Sequence, residues 1–369
     1  MDLRAIGQRL RLADIPAAFS IMALVLIGLS AIYSVALSES ADEFLNVKKQ
    51  IAALLLGIIA FFFIANANYR LLRSYALVSY MVGVSLLFLV KVAGSTIRGT
   101  TGWFVIGPIS FQPAELMKLI LVICLASYFT SRARRSFRLR ELFESLAIAA
   151  LPALLVLWEP DLGSAVMLLG IWFGVVLFAG LPKRYLAGLI LALVAVSLLS
   201  WHFVLAPYQK DRILVFVNPS LDALGRGYNV NQAVIAVGSG GWFGRGLGFG
   251  SQSQLNFLPE SQTDFIFAVI GEELGLVGVT LVLGFWLFLL FRILRQAERT
   301  SDPFATLLLI GIASSFLLQT CIHIGMNLGA LPVTGLGLPL VSYGGSSLFF
   351  TLLMFGVVEN VARSSARMS

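Results

Sequence analysis

Asp264 and the basic residues upstream of it are the side chains in this sequence best suited to chemistry. Asp264 closes the run Asn256-Phe257-Leu258-Pro259-Glu260-Ser261-Gln262-Thr263-Asp264, immediately before a long apolar stretch. A carboxylate at the edge between water and an apolar run suits a general base. Partial burial would raise its pKa towards a useful range, while nearby arginines would lower it. Lys210, Arg212, Arg226 and Arg245 lie in the same polar insertion, Tyr208 to Gly275, which carries nine glycines between positions 225 and 250. Glycine permits positive φ and close approach of the backbone to a ligand. Cations on such a backbone suit a diphosphate. The absence of a Gly-Lys-Ser/Thr element excludes a nucleotide P-loop. Two structural readings stand beside these. Asp264 also suits a helix N-cap or a partner for a helix dipole. The glycines also suit a re-entrant loop threading tightly among helices.

Glu115 and Lys118 form a second constellation. Pro113 belongs in the first turn of a helix, which makes Glu115 and Lys118 i,i+3 neighbours on one face. Ionisable groups inside a membrane span are costly and usually pair or face a cavity. Lys118 either meets a phosphate while Glu115 holds it, or the two form a structural ion pair that fixes helix packing. Asp161, in Trp158-Glu159-Pro160-Asp161-Leu162-Gly163-Ser164, suits a helix cap. His202 and His323 are lone imidazoles and read as packing or hydrogen-bonding residues. The stretch Leu331 to Ser347 is dense in proline and glycine. A broken segment of this kind at membrane depth must line protein or a cavity, and Ser346 or Ser347 suits the cap of the helix that follows. Cys124 and Cys321 sit in apolar runs and imply neither a disulfide nor a metal cluster.

The elements that must position these groups are apolar helices. Of the 369 residues 58% are hydrophobic and 12% charged, against about 25% charged in a soluble domain. The pattern predicts an all-α polytopic integral membrane protein in one domain, residues 1–369. Ten spans are expected, at about 15–37, 47–66, 75–93, 113–130, 142–158, 161–180, 185–205, 265–291, 304–326 and 345–362. A large extracytoplasmic loop, 206–264, separates spans seven and eight. Residues 15–37 are too long for a signal-peptide core and read as the first span. Of the 26 basic residues, 17 fall on the side of both termini, which the positive-inside rule makes cytoplasmic. The formal charge of +7 is therefore a topology signal and an attraction to anionic lipid, not a nucleic-acid footprint. Trp103, Trp158, Trp201 and Trp242 fall at the opposite boundary, where amphipathic rings gather.

Several motifs, taken in order along the chain, resemble the SEDS family (RodA, FtsW, SpoVE). They are Phe111-Gln112-Pro113-Ala114-Glu115, Pro160-Asp161-Leu162-Gly163, Gly238-Ser239-Gly240-Gly241, Phe257-Leu258-Pro259-Glu260, Thr263-Asp264-Phe265-Ile266-Phe267-Ala268, Pro332-Val333-Thr334-Gly335 and Ser342-Tyr343-Gly344-Gly345-Ser346-Ser347. The stretches Tyr208 to Ile213 and Gln252 to Phe257 look more like the elongation branch than the division branch. The resemblance implies a peptidoglycan glycosyltransferase of the bacterial inner membrane that polymerises lipid II. Its implied partners are a class B penicillin-binding protein and other membrane proteins of the elongation complex. It places Asp264 at the family's essential aspartate. Glu115, Lys118, Arg98, Lys210, Arg212, Gln232, Arg245 and Ser342 are the expected substrate-binding residues. No resident metal site is assigned, although a divalent cation (Mg or Mn) would help a diphosphate leave. Three positions depart from the family pattern. Gly102 stands where an arginine often precedes the tryptophan, with Arg98 a substitute. Glu159 stands where glutamine is common, and His323 where asparagine is common. Ten spans with glycine-broken helices also fit a lipid II flippase, and making polymer from lipid II separates the two. A scaffold that only recruits partners does not explain the outward carboxylate and basic loop, and a catalytically dead point variant with intact partner binding would exclude it.

Overall fold

The computed structural model describes residues 14–37, 43–97, 99–107, 109–132, 137–204, 210 and 226–366. Its main helices are α1 (Ile15–Ala36), α2 (Glu43–Asn66), α3 (Ala76–Ala93), α4 (Pro113–Thr130), α5 (Leu139–Trp158), α6 (Leu162–Phe178), α7 (Lys183–Leu199), α8 (Arg226–Ser239), α9 (Ile266–Arg299), α10 (Pro303–Asn327) and α11 (Gly345–Ala366). Eight of them, α1–α5 and α9–α11, are long and apolar enough to cross a membrane. Helix α6 is a shorter apolar helix, and α7 runs on into a π-helical turn, Ser200–Val204. The chain is a multi-pass membrane protein.

Burial sorts the helices. Seventy-eight per cent of the α4 span and 72% of the α10 span lie inside the protein, against 11% for α2. Helix α4 packs against α3, α5, α6 and α10, while α2 lies along α11 at the periphery. Local sequence sets several starts. Pro113 and Pro303 occupy first turns, where a missing N–H costs nothing. Asp14, Asp161 and Asp302 cap α1, α6 and α10 with their carboxylates.

Two features depart from the sequence reading. The outer loop before α4 holds a three-stranded antiparallel sheet, β1 (Ser95–Ile97), β2 (Thr100–Ile106) and β3 (Ile109–Phe111), in the order β1-β2-β3. The stretch 206–264, expected as a loop, contains α8 and a helical turn, Ser251–Gln254.

Helix α9 is broken at Gly275, with φ of 65°. The segment Gly240–Gly246 fills the break. Arg245 and Gly246 donate backbone N–H groups to the carbonyls of Glu272 and Glu273, at 3.0 Å each. In return Leu276 and Val277 donate to the carbonyls of Gly241 and Trp242, at 2.9 and 3.1 Å. Backbone polar groups freed inside a span must find such partners. The approach is close enough to require glycine: a Cβ on Gly244 would sit 2.1 Å from the Glu273 carbonyl oxygen. The small-residue stripe of α9 thus serves two neighbours. Gly271 meets Val237 of α8, and Gly275 meets Phe243 and Gly244.

Candidate functional site

Asp264 lies in the turn that precedes α9 and is half-buried. It is not the helix cap, which falls at Phe265. Its position is fixed through the backbone. Its N–H donates to the Glu260 carbonyl at 3.1 Å, and its carbonyl accepts from Asn327 Nδ2 at 2.9 Å. Asn327 Oδ1 also accepts from the N–H of Ala268 at 3.1 Å, a first-turn donor of α9 that it shares with the Phe265 carbonyl. One buried amide at the end of α10 thereby fixes both the aspartate and the helix behind it. The turn itself needs left-handed backbone at Asn256 (φ 56°) and Glu260 (φ 53°).

Beside this turn runs the broken segment Leu331–Gly344. Ser342 Oγ donates to the Thr263 carbonyl at 2.8 Å and accepts from the N–H of Leu338 at 2.7 Å. Tyr343 N–H donates to the Gln262 carbonyl at 2.8 Å. Helix α2 braces the same place from the other side. Asn46 Nδ2 donates to Gln262 Oε1 at 3.1 Å, Gln50 Nε2 to the Ser342 carbonyl at 3.1 Å, and Gly344 N–H to Gln50 Oε1 at 3.0 Å. Gly335, with φ of 76°, borders the carboxylate: a Cβ there would lie 4.0 Å from Asp264 Oδ2.

The buried ion pair reaches the same segment. Lys118 Nζ sits 2.7 Å from Glu115 Oε1, with side-chain exposures of 2% and 8%. Lys118 also donates to Gln319 Oε1 at 3.0 Å, and Gln319 Nε2 donates to the Gly337 carbonyl at 2.9 Å. Asp161, capping α6, accepts from Gln112 Nε2 at 3.3 Å. Gly163 brings α6 against the Thr334 carbonyl, 2.4 Å from where its Cβ would be. Ser346 does not cap α11. Its Oγ donates to the Ser110 carbonyl at 2.6 Å, tying β3 to that helix. Residues distant in sequence thus converge on one non-helical stretch, 331–344.

Of the expected site residues, Asp264, Ser342, Glu115 and Lys118 gather around this stretch. Arg245 is exposed and is held elsewhere. It donates to Ser251 Oγ at 2.7 Å, and Ser251 in turn donates to Glu272 Oε1 at 3.3 Å. Glu272 lies eight residues beyond Asp264, roughly 12 Å along α9 at helical rise. Gln232 is half-buried on α8, and Lys210 Nζ sits 6.0 Å from the Trp201 ring centroid. Arg98 and Arg212 lie outside the described residues. His323 is fully buried and its Nδ1 bonds the Leu336 carbonyl at 2.8 Å, a packing role. Among the described residues no three His, Cys, Asp or Glu side chains are placed to hold a metal ion.

Gly102 and Glu159, two of the departures from the family pattern, are neighbours. A Cβ on Gly102 would lie 2.9 Å from Glu159 Oε2. Glu159 is 1% exposed and its Oε1 has no partner among the described residues. Burial, with Asp161 adding repulsion and Lys91 partly offsetting it, pushes its carboxyl up to about 8. It is a neutral acid at pH 7, a near-isostere of the glutamine common there.

Sequence reasoning missed Gln319, Asn327, Asn46 and Gln50, the amides that brace the site. The signal was present for two of them. Gln319, His323 and Asn327 recur at intervals of four on an otherwise apolar helix, a polar stripe that cannot face lipid.

A groove of about 290 Å³ opens alongside, lined by Lys49, Leu56, Phe111, Tyr343, Phe349 and Phe350 among others. It borders the residue that follows Ser342 and is mostly apolar with a single ammonium.

The chain matches the FtsW/RodA/SpoVE family of cell cycle proteins over residues 15–367. It is 37% identical over 350 residues to stage V sporulation protein E of Bacillus subtilis, covering 93% of this chain and 94% of that one. It is 34% identical over 342 residues to the peptidoglycan glycosyltransferase MrdB of Escherichia coli K12, covering 92% of each. Among solved structures, a chain from a peptidoglycan synthase complex that coordinates polymerization and crosslinking superposes with a TM-score of 0.83 at 34% identity, covering 95% of this chain and 98% of that one. Such coverage leaves no part of the helical bundle unaccounted for, and this chain belongs to the FtsW/RodA/SpoVE family.

Proposed function

We propose that this protein is a peptidoglycan glycosyltransferase that polymerises lipid II during cell elongation, with Asp264 as general base. The carboxylate takes the proton from the 4-hydroxyl of the acceptor sugar. That oxygen forms a bond to the anomeric carbon of the donor as the bond from that carbon to the undecaprenyl diphosphate oxygen breaks, with inversion. The leaving diphosphate carries away the electron pair. Basic groups stabilise it, with Lys118 on the shared scaffold and Arg98, Lys210 and Arg212 contributed from the outer segments. A divalent ion in this role would be held mainly by the diphosphate itself, with few protein ligands.

The observation that carries the reading is the convergence of Asp264, Ser342 and the Glu115–Lys118 pair on the stretch 331–344. There a carboxylate and a buried cation share one scaffold at the edge of the bundle. The apolar groove beside Tyr343 suits a polyprenyl chain. The protein lies in the bacterial inner membrane with both termini cytoplasmic, so the site faces the cell-wall side. A class B penicillin-binding protein is the crosslinking partner, in keeping with the synthase complex to which the fold is similar.

The test is gel analysis of product from purified protein and lipid II, with and without Mg or Mn. Wild type should yield glycan ladders. Asp264→Asn should lower the rate by at least about 10²–10⁴-fold, the usual contribution of a positioned base, with its thermal unfolding unchanged. Wild-type polymer from Asp264→Asn would remove the assignment. Lipid movement between leaflets with no polymer from wild type would instead make the protein a flippase.

A further inference from the structure

An amphipathic cavity lies at the other end of the bundle from Asp264. It has a volume of about 490 Å³ and opens between the start of α1 and the ends of α2, α9 and α11. Its inner wall is apolar, with Phe61, Phe62, Ile293 and Phe355. Its rim carries four arginines and two carboxylates. Two arginines are matched: Arg292 by Asp14, and Arg363 by Glu359 at 2.7 Å. Arg295 and Arg299, a turn apart on α9, are exposed and form no ion pair with a carboxylate among the described residues. Arg295 stands over the Phe291 ring at 6.0 Å. Among the described residues, the rim therefore keeps two guanidinium groups without an ion-pair partner above an apolar wall.

We propose that this cavity binds an anionic phospholipid of the cytoplasmic leaflet, with the headgroup phosphate between Arg295 and Arg299 and an acyl chain along the aromatic wall. The inference rests on the orientation that places both termini in the cytoplasm, not on the catalytic reading. Charge and shape both point to a lipid. Guanidinium forks match phosphate oxygens. A cavity that is charged at the water boundary and apolar toward the bilayer fits an amphiphile better than a soluble anion. Basic pockets between helices on the cytoplasmic side suit such headgroups.

The experiment is native mass spectrometry of the full chain released from nanodiscs of phosphatidylglycerol and phosphatidylcholine mixed in equal parts. Wild type should retain phosphatidylglycerol over phosphatidylcholine. Two arginines support a preference of roughly thirtyfold. The double variant Arg295→Gln/Arg299→Gln should lose that preference. Ala18→Trp, which narrows the cavity and leaves every charge in place, should lose the retained lipid. Thermal unfolding in phosphatidylcholine alone checks that both variants fold. Millimolar inorganic phosphate should not displace the lipid. Equal retention of both lipids by wild type, full retention by either folded variant, or displacement by phosphate would each overturn the proposal. Lipid II polymerisation is read separately, so failure here leaves the catalytic reading standing.

Discussion

Replacing Lys118 by methionine tests whether the buried pair serves the fold, the reaction or both. The two charges lie 2.7 Å apart with almost no exposure. Removing one partner leaves Glu115 charged and buried without compensation, which costs about 3–5 kcal/mol. It also frees Gln319 Oε1, which accepts from Lys118 at 3.0 Å. Glu115→Gln combined with Lys118→Met removes both charges, keeps a hydrogen-bonding side chain and nearly conserves volume. Replacing a whole buried pair in this way is often close to neutral. Thermal unfolding in detergent should therefore rank wild type and double variant together, well above Lys118→Met. Polymerisation of lipid II should fall steeply in both variants, because both lose the buried cation proposed to stabilise the leaving diphosphate. A double variant that polymerises at the wild-type rate would show that Lys118 is structural only. A single variant as stable as wild type would refute the argument from burial.

The remaining predictions concern other parts of the scaffold. Glu159→Gln should stabilise the protein at neutral pH and leave it unchanged below about pH 4.5. The folded carboxyl is held at about 8 against an ordinary value of 4.5, so wild type is fully stable below the lower value and loses stability as pH rises through the upper one. At pH 7 the gain is at most about 3 kcal/mol, at roughly 1.4 kcal/mol per pH unit, and unfolding midpoints from pH 4 to 8.5 will show it. Ser342→Ala should cost about 1–3 kcal/mol by leaving the buried Leu338 N–H unpaired. It should also lower kcat more than it changes KM, because the carbonyl of Thr263 is no longer held. Gly241 (φ 56°) and Gly244 (φ 77°) both have left-handed backbone, but only Gly244 is crowded. Gly241→Ala should cost about 1–2 kcal/mol, whereas Gly244→Ala should yield little folded protein by size-exclusion chromatography.

The long helices were legible in sequence because each is a predominantly apolar run, and length and composition alone mark it as able to cross a membrane. The sheet before α4 was not. Its outer strands are 3 residues each, too short to carry an alternating pattern, and the 7-residue β2 does not alternate in sequence; each exists only through pairing with the next. Helix α8 was hidden for a related reason. Its glycines and asparagines read as loop, and packing on α9 overrides that weak propensity. At the site, Asp264, Glu115 and Lys118 stood out as charges at the edge of apolar runs. Of the bracing amides, Gln319 and Asn327 were marked only by their spacing with His323 on an apolar helix, and Asn46 and Gln50 draw attention only once their partners on other elements are known. The roles of the nine glycines also needed coordinates, since a residue without a side chain records nothing of what presses against it.

The break in α9 has a mechanical corollary. Four backbone hydrogen bonds sew Gly241–Gly246 into the helix on either side of Gly275, so the outer segment and the helix share a single load path. A growing strand that tugs on the surface from Gly240 to Ser251 would pull on the axis of α9 itself. The first turn of that helix is pinned to Asn327, so such tension would reach the peptide plane of Asp264 instead of dissipating in a slack tether.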